Sequence, residues 1–500
     1  MPSGGRHRLT GFDGIAAAGT TLVAGRLSAK LVDVATLVVL GRILGPADFG
    51  LVALAMVFVL IAEGVTEVPV SAALVRERTL PRVLFDTAFT LSLLRGVLVA
   101  FTLGLLTWPA ARVLDEPRLS ALMPVLALAP IARGLFSPRL AVYARRYDHR
   151  AEFVLELLGK LGGFCLAVSV ALGTESYWAI AVGTVSAPVL SAALSYRLAP
   201  YVPRLRLLAW RRFAGFFGWN SAAQAISTIS WQMDRLLLGL LAPPALLGRY
   251  AVAASLASTV HQAVAVPIGR PLTAAFSMSR TADASATAYL AALRGTALVV
   301  APVAVALSLC AKPIVATLLG EGWEEAGTVL RWLPIAGLGG LLAQPAWALA
   351  VSVDRTAFLA RKAALELVVR VAALSALLVP LGMMGAVVAQ AMVVTAGSAC
   401  AAVFARTVLG LTVISQLRQL FAPVLGIAAM ASTFTAVVHL LGDGAGSALA
   451  SVKLCSALGA AGVAYLAVVS LTWRASGRPD GIEQVVARLL VRVVPLRSPA

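Results

Sequence analysis

Long apolar segments alternate with short polar ones along the whole chain. Each apolar segment has about 20 residues, which is enough for a helix to cross the roughly 30 Å hydrocarbon layer of a bilayer. No segment shows the period-two alternation of a barrel strand, and in lipid every backbone polar group needs an internal partner. The pattern therefore predicts about fourteen transmembrane helices. They are placed near residues 20–44, 49–75, 84–108, 119–143, 153–172, 177–198, 213–241, 248–272, 288–310, 326–351, 358–379, 383–405, 419–440 and 448–472.

Composition indicates the same class of protein. Of the 500 residues, 60% are hydrophobic and 13% are charged, whereas about 25% are charged in a typical soluble domain. We therefore predict an all-α integral membrane protein. The four cysteines have no metal-ligand spacing and are expected to be small apolar residues of the helices, so neither a metal nor a cofactor is predicted. They are Cys165, Cys310, Cys400 and Cys455.

The net charge of +18 is concentrated in alternate connections between the predicted spans. Arginine clusters at 139–150 and 197–212 fall on one side of the membrane, while the opposite connections, such as 173–176 and 442–446, contain no Lys or Arg. The positive-inside rule places the arginine clusters and both termini in the cytoplasm, where they meet anionic lipid headgroups. Because no aromatic residues are interleaved with the basic clusters, nucleic acid is not an expected partner.

The sequence also repeats itself. The stretch LGRILGPADFGLVALA at 40–55 aligns without a gap with LGLLAPPALLGRYAVA at 238–253, although short matches of small and apolar residues also arise by chance. Six predicted helices separate the copies, so the pattern predicts two parallel six-helix repeats that form two lobes. The predicted domains are a basic tail (1–18), a first six-helix bundle (19–205), a second six-helix bundle (206–410), a C-terminal helix pair (411–473) and a basic cytoplasmic tail (474–500).

The first copy of the repeat, followed by EVPVSAALVRE, resembles the opening signature of polysaccharide flippases in the multidrug/oligosaccharidyl-lipid/polysaccharide exporter superfamily. The pieces RRYDHRAEFVLELLGKLGGF, SYWAIAVG and MDRLLLGLLAPPALLGRYAVA are also similar to that family. One departure is Pro243, which stands where the family usually has Gly before the Pro. Beyond residue 300 only the hydropathy pattern supports the resemblance.

The resemblance implies alternating access, with a polyprenyl-diphosphate-linked oligosaccharide as the cargo. It implies a place in the bacterial cytoplasmic membrane and a role in making surface polysaccharide, such as lipopolysaccharide or exopolysaccharide. Coupling to H⁺ or Na⁺, and contact with polymerase or glycosyltransferase machinery, are further expectations.

The first predicted helix carries three ionisable residues, Arg26, Lys30 and Asp33, on one face. Charges at membrane depth cost about 2.5–3.5 kcal/mol each and usually face a cavity or a bundle interior. Lys30 and Asp33 are predicted to line a cavity and to neutralise each other in part, whereas Arg26 could equally reach the headgroups. Since the cargo would carry a diphosphate, the candidate phosphate-binding residues are cationic: Arg26 and Lys30, with Arg95, Arg133 and Arg270 as further candidates.

Acidic residues also fall within predicted spans. Glu63 and Glu67 are one turn apart in the second span and could relay protons, bind Na⁺ or pair with the basic first helix; static pairing is favoured. Asp33 and Asp234 are the other predicted charge partners or ion-coupling residues.

The seventh predicted helix carries a polar stripe in place of the charges of the first helix. Asn220, Gln224 and Trp231 share one face, and amides and an indole suit sugar hydroxyls and the apolar face of a sugar ring. We predict that the first half holds the diphosphate and the second half contacts the glycan. The alternative is that these polar groups bond to neighbouring helices.

Three classes of function compete. A lipid-linked oligosaccharide flippase needs a cationic cavity and no catalytic residues. A cation-coupled multidrug exporter of the same superfamily should have an acidic or apolar cavity instead. A membrane glycan polymerase or glycosyltransferase would need a large external loop, and the chain contains no GxSxG, P-loop or metal-ligand cluster. A flippase that is not an enzyme is therefore the leading prediction.

Overall fold

The computed structural model describes residues 28–68, 70–77, 79–146, 148, 150–214, 219–259, 276, 281–441 and 447–476. All regular elements within these ranges are helices. In chain order they are α1 (28–43), α2 (Pro46–Val65), α3 (Val70–Arg76), α4 (Arg82–Val113), α5 (Leu119–Leu126), α6 (Leu128–Gly134), α7 (Leu140–Arg145), α8 (Arg150–Thr174), α9 (Trp178–Leu198), α10 (Trp210–Ala214), α11 (Trp219–Leu241), α12 (244–259), α13 (Ala282–Leu319), α14 (Glu324–Leu338), α15 (Ala343–Ser352), α16 (Ala357–Leu381), α17 (Met383–Leu409), α18 (Val413–Arg418), α19 (Phe421–Leu440) and α20 (Ser447–Ala475). A 3₁₀ turn at Gly339–Leu342 joins α14 to α15.

Ten helical segments among the described residues are long and apolar enough to cross a membrane. The all-helical membrane fold is thus confirmed, and the number fourteen is approximate. Every predicted span overlaps a described helix, but the fourth is divided among α5, α6 and the start of α7, and α11 carries polar and charged residues along its length. Arg26 and Arg270, the N-terminal tail and most of the C-terminal tail lie outside the described residues.

The chain forms two compact units, of which the first comprises the described parts of Met1–Ser255 with Val315–Ala326 and Arg370–Ala386. In this unit α8 packs closely on α9. Small residues make the approach possible, because a methyl group on Gly163 would lie 2.9 Å from Ala187 Cβ and one on Gly183 would lie 2.8 Å from Ala167 Cβ. Close contact between small residues is the usual way in which helices associate in lipid.

The two sequence repeats contact each other within the first unit. Helix α2 packs against α11. A methyl group on Gly50 would overlap the carbonyl oxygen of Pro244, and one on Gly248 would overlap the carbonyl oxygen of Pro46. The aligned residues therefore meet reciprocally, each glycine of one repeat against the proline of the other.

The second unit comprises the described parts of Leu256–Ile314, Gly327–Val369 and Val387–Ala500. Helices α19 and α20, which cover most of the predicted C-terminal pair, pack on each other. Gly426 of α19 lies under the ring of Tyr465 of α20, whose hydroxyl donates to the carbonyl oxygen of Leu298 over 2.8 Å. The predicted bundle boundaries at residues 205 and 410 stay predictions.

Candidate functional site

A cavity of about 850 Å³ lies among the helices of the first unit. Residues of α1, α3, α4 and α6–α9 line it, so it is enclosed by the first half of the chain. Its volume is in the range of small-molecule sites. Six charged residues contribute to the wall: Asp33, Arg133, Asp148, Glu152, Glu156 and Lys160.

Lys160 of α8 is the centre of a charge cluster in this wall. Its Nζ lies 2.8 Å from Asp33 Oδ2 and 3.2 Å from Glu156 Oε1. Lys30 reaches the same carboxylate, with 3.6 Å between its Nζ and Asp33 Oδ2. Lys30 and Asp33 are thus close, as predicted, but Asp33 lines the cavity whereas Lys30 is not among its described lining residues, and Lys160 makes the closer contact. The four side chains are between about one quarter and one half exposed.

Glu63 is held by two arginines. Arg133 donates to its Oε1 through Nε at 2.9 Å and Nη2 at 2.8 Å, while Arg95 donates to its backbone carbonyl over 2.8 Å. Glu63 therefore has a static partner, but the partner lies on α6. Glu67 lies just beyond the end of α2 and is exposed. Arg133 lines the cavity with its charge already paired.

Asp234 of α11 belongs to a separate, buried network. Its Oδ1 accepts from Arg370 Nη1 over 2.7 Å and its Oδ2 accepts from Tyr250 Oη over 2.8 Å. Arg370 Nε also donates to Ser230 Oγ over 3.0 Å. Both carboxylate oxygens of Asp234 have a protein partner, and its side chain is 9% exposed.

The other residues of the polar stripe on α11 differ in exposure. Gln224 is exposed, and Trp231 is 60% exposed. Neither residue lines the first-unit cavity. The side chain of Asn220 lies outside the described residues.

Lys160 and Arg370 were not among the site residues predicted from the sequence. Lys160 lies inside the predicted span 153–172, one helical turn after Glu156, and a charge in such a span is the signal that identified Lys30. Arg370 lies inside the predicted span 358–379 and carries the same signal. Their partners could not be identified, because 127 residues separate Lys160 from Asp33 and 136 separate Arg370 from Asp234.

The wall of the cavity is mostly apolar, and its charged residues are mostly acidic, unlike the cationic cavity predicted for a flippase. Four acidic residues and two basic ones stand in the wall, which also contains the hydroxyl residues Thr36, Ser71, Ser92 and Thr184. Phe136, Tyr143 and Phe164 add aromatic surface. Such a wall can bind a ligand rich in hydroxyl groups and can exchange its internal ion pairs for a charged ligand. No cluster of His, Cys, Asp and Glu suited to a metal occurs among the described residues.

Comparisons with known proteins agree with a membrane transporter. The profile of a family described as polysaccharide biosynthesis protein matches residues 39–328, more than half of the chain. The succinoglycan biosynthesis transport protein ExoT of Rhizobium meliloti (strain 1021) is 24% identical over 309 residues, 60% of this chain and 62% of that protein. The lipopolysaccharide biosynthesis protein WzxC of Escherichia coli (strain K12) is 21% identical over 319 residues, with the same coverage. The chain thus matches 62% of the length of these curated relatives.

Two solved structures share the fold. Lipid II flippase MurJ in an inward closed conformation superposes with a TM-score of 0.72 at 10% identity, covering 92% of this chain and 100% of that one. An inward-facing multidrug resistance MATE family transporter of the MOP superfamily superposes with a TM-score of 0.59 at 14% identity, covering 78% of this chain and 98% of that one. At these identities the likeness concerns the fold alone.

Proposed function

We propose that this chain, which belongs to the family of polysaccharide biosynthesis proteins, is a flippase that moves a polyprenyl-diphosphate-linked oligosaccharide across the bacterial cytoplasmic membrane. Its family and the relatives named for polysaccharide transport support the assignment. The lipid tail would stay in the bilayer while the polar head passes through the protein. No step of this process makes or breaks a covalent bond, so the protein is a transporter and not an enzyme.

The observation that carries the proposal is the charged cavity of the first unit. Ionised side chains at membrane depth cost several kcal/mol unless they are paired or face water. The Lys160 cluster satisfies both conditions, because its members form ion pairs and two of its carboxylates line an open space. A cavity that presents charged and hydroxyl groups within otherwise apolar helices offers a sugar head polar contacts on its way through a bilayer.

Lys30 and Lys160 are our leading candidates for contact with the diphosphate. Both lysines form ion pairs with Asp33. An arriving diphosphate can take the place of the Asp33 carboxylate as their counter-charge, so the lysines stay charged. Arg95 and Arg133 are weaker candidates because Glu63 engages both. Arg26 and Arg270 stay candidates on sequence grounds alone.

We also propose that Gln224 and Trp231 contact the glycan. Their exposure on α11 leaves an amide and an indole accessible, and the cavity adds hydroxyl and aromatic groups in the first half. Asn220 completes the stripe on sequence grounds. Asp234 is a structural charge partner in this proposal, because Arg370 and Tyr250 occupy both of its oxygens.

One observation favours the second candidate, a cation-coupled exporter of small molecules. The cavity wall holds Asp33, Asp148, Glu152 and Glu156 against Arg133 and Lys160, and an excess of carboxylates attracts cations. Coupling of the flippase to H⁺ or Na⁺ would use the same groups. Both functions use alternating access, so only the transported molecule separates them.

The test is reconstitution of the full chain into vesicles that contain a fluorescent polyprenyl-diphosphate oligosaccharide. Flipping is measured as exposure of the sugar to an added glycosidase, and efflux of a cationic dye is measured in parallel. A flippase moves the oligosaccharide and leaves the dye, whereas the reverse result would establish the exporter. In the double variant Lys30→Gln/Lys160→Gln the rate of oligosaccharide flipping should fall at least about tenfold, as expected for lost charge-assisted contacts.

The matched control is Lys312→Gln, which removes an exposed lysine of α13. It should flip as fast as the unchanged protein. Equal rates for the double variant and this control would remove the diphosphate assignment.

We further propose that both termini and the arginine clusters face the cytoplasm. In a protein with its native cysteines replaced, Arg206→Cys should react only with a membrane-permeant thiol reagent, and Gly173→Cys should also react with an impermeant one. Labelling of Arg206→Cys from outside would reverse the orientation.

A further inference from the structure

Residues 200–212, between α9 and α11, form a strap across the start of α4. Tyr201 Oη donates to Asp86 Oδ1 over 2.7 Å, the backbone N–H of Arg206 donates to Thr90 Oγ1 over 2.9 Å, and that of Ala209 donates to Thr87 Oγ1 over 3.3 Å. The strap has no regular structure before Trp210, so these side chains of α4 take the place of a helical hydrogen-bond ladder. Its course over α4 is therefore fixed.

The attachment points set the depth of the strap relative to the membrane. Helix α4 begins at Arg82 and is long and apolar enough to span a membrane, and Asp86 and Thr90 lie about 6 and 12 Å along its axis from that residue. The strap thus crosses the first turns of a span, which is where lipid headgroups meet the hydrocarbon.

This end of the first unit is rich in arginine. Arg139 donates to the carbonyl oxygen of Pro200 over 2.8 Å, and Arg212 lies 3.2 Å from Glu77. Arg204 and Arg206 are exposed, and neither side chain forms an ion pair with any described residue. Arg211 is exposed as well, 5.8 Å from the centre of the Trp210 ring.

Large apolar side chains of the strap are also exposed. Val202 is 68%, Leu205 70%, Leu208 77% and Trp210 51% exposed. Exposure of these apolar side chains to water would be unfavourable in free energy. Beside guanidinium groups at the depth of the lipid headgroups, the combination matches the amphipathic character of a membrane interface.

An apolar groove continues from the strap onto the outer face of α4. Leu91, Leu207, Leu208 and Trp210 line it, and its volume is about 640 Å³. Along α4 the exposed residues Leu94, Leu98, Phe101 and Leu105 follow Leu91 at alternating spacings of three and four, so they share one face of the helix. Because α4 spans the membrane, this face borders acyl chains.

We propose that the strap and the groove form a binding site for an anionic phospholipid of the surrounding leaflet. The phosphate is bound by Arg204, Arg206 and Arg211, and one acyl chain lies in the groove and along Leu94 and Leu98. A lipid diphosphate has the same chemistry, but no residue of the strap lines the first-unit cavity, and the groove opens on the lipid face of α4. We therefore assign the site to a resident phospholipid and not to the cargo.

Native mass spectrometry of the full chain released from phosphatidylglycerol nanodiscs tests the site. The triple variant Arg204→Gln/Arg206→Gln/Arg211→Gln should retain phosphatidylglycerol about a hundredfold less well, since each arginine near a membrane surface contributes about fivefold to anionic lipid binding. The control Arg355→Gln/Arg361→Gln/Arg418→Gln removes the same charge from exposed arginines elsewhere and should retain lipid normally. An equal loss of bound phosphatidylglycerol in both variants would show that net charge alone causes the loss, and it would overturn the proposed site.

Fluorescence quenching locates the acyl chain. Phosphatidylglycerol brominated on its acyl chains should quench the tryptophan fluorescence of the unchanged protein more than that of Trp210→Phe. The difference between the two proteins should be smaller with brominated phosphatidylcholine than with brominated phosphatidylglycerol. Absence of any difference would place the lipid elsewhere. Displacement of the brominated lipid by an equimolar amount of polyprenyl diphosphate would assign the groove to the cargo and overturn the proposal.

Discussion

Arg370 donates to Asp234 over 2.7 Å, and the two side chains are 3% and 9% exposed. Tyr250 and Ser230 complete the contacts of the pair. A charge pair removed from water to this degree is tolerated only because nearly every donor and acceptor has a partner. The pair connects α11 to α16, so we expect its removal to lower the free energy of unfolding.

Asp234→Asn is expected to destabilise the protein by about 3–5 kcal/mol, because it leaves the Arg370 guanidinium buried without a counter-charge. The measurement is thermal unfolding in detergent. The double variant Asp234→Leu/Arg370→Leu should be more stable than either single variant, since it removes both charges. If Asp234→Asn unfolds as the unchanged protein does but fails to transport, Asp234 is an ion-coupling residue and not a structural one.

Gly50→Ala and Gly248→Ala should each lower stability by about 1–3 kcal/mol, because the added methyl group has no room against the facing proline carbonyl. The double variant should cost less than the sum of the two, since the first substitution already separates the helices. Gly45→Ala is the control, because nothing lies within 4 Å of its added methyl group. Strict additivity in thermal unfolding would contradict a shared contact.

Glu63→Gln should strengthen binding of an anionic cargo, because it leaves Arg133 in the cavity wall without its carboxylate. We expect a lower KM for the lipid diphosphate in vesicles. Glu67→Gln, at the exposed end of α2, is the matched control and should leave the KM unchanged. A raised KM in Glu63→Gln would mean that Glu63 positions Arg133 for the cargo.

The Glu116–Arg118 pair predicts an acid-dependent term in stability. Hydrogen bonds from Arg118 lower the pKa of Glu116, with burial opposing them. The contribution of this pair to the free energy of unfolding is therefore complete above the usual glutamate pKa of about 4.3, and it is lost as the pH falls through the lowered pKa of Glu116 in the folded protein. Unfolding temperatures of Arg118→Gln and the unchanged protein should differ at neutral pH and converge in acid. Arg112→Gln, which loses a contact with Trp108 instead, should differ by the same amount at both pH values.

The membrane spans could be predicted because lipid demands long apolar helices at every crossing. The break between α5 and α6 could not be predicted, because the whole stretch is apolar. Its two prolines do not mark the break either, since Pro124 lies inside α5 and Pro130 lies inside α6. Lys30 and Asp33 are close in sequence, so their proximity followed from helical geometry. Lys160 joins them only through tertiary packing of α8 against the first helix, and no local pattern encodes that contact. The same holds for Arg133 and Glu63, which are 70 residues apart.

The reciprocal contact of Gly50 and Gly248 has the form of an isologous dimer interface, in which residue i of one copy meets residue j of the other and the reverse. Such an interface is built from main-chain atoms of both copies, so no rotamer change can adjust it. A side chain added at either glycine therefore changes the distance between the two helix backbones, and repacking of neighbouring side chains cannot restore that distance.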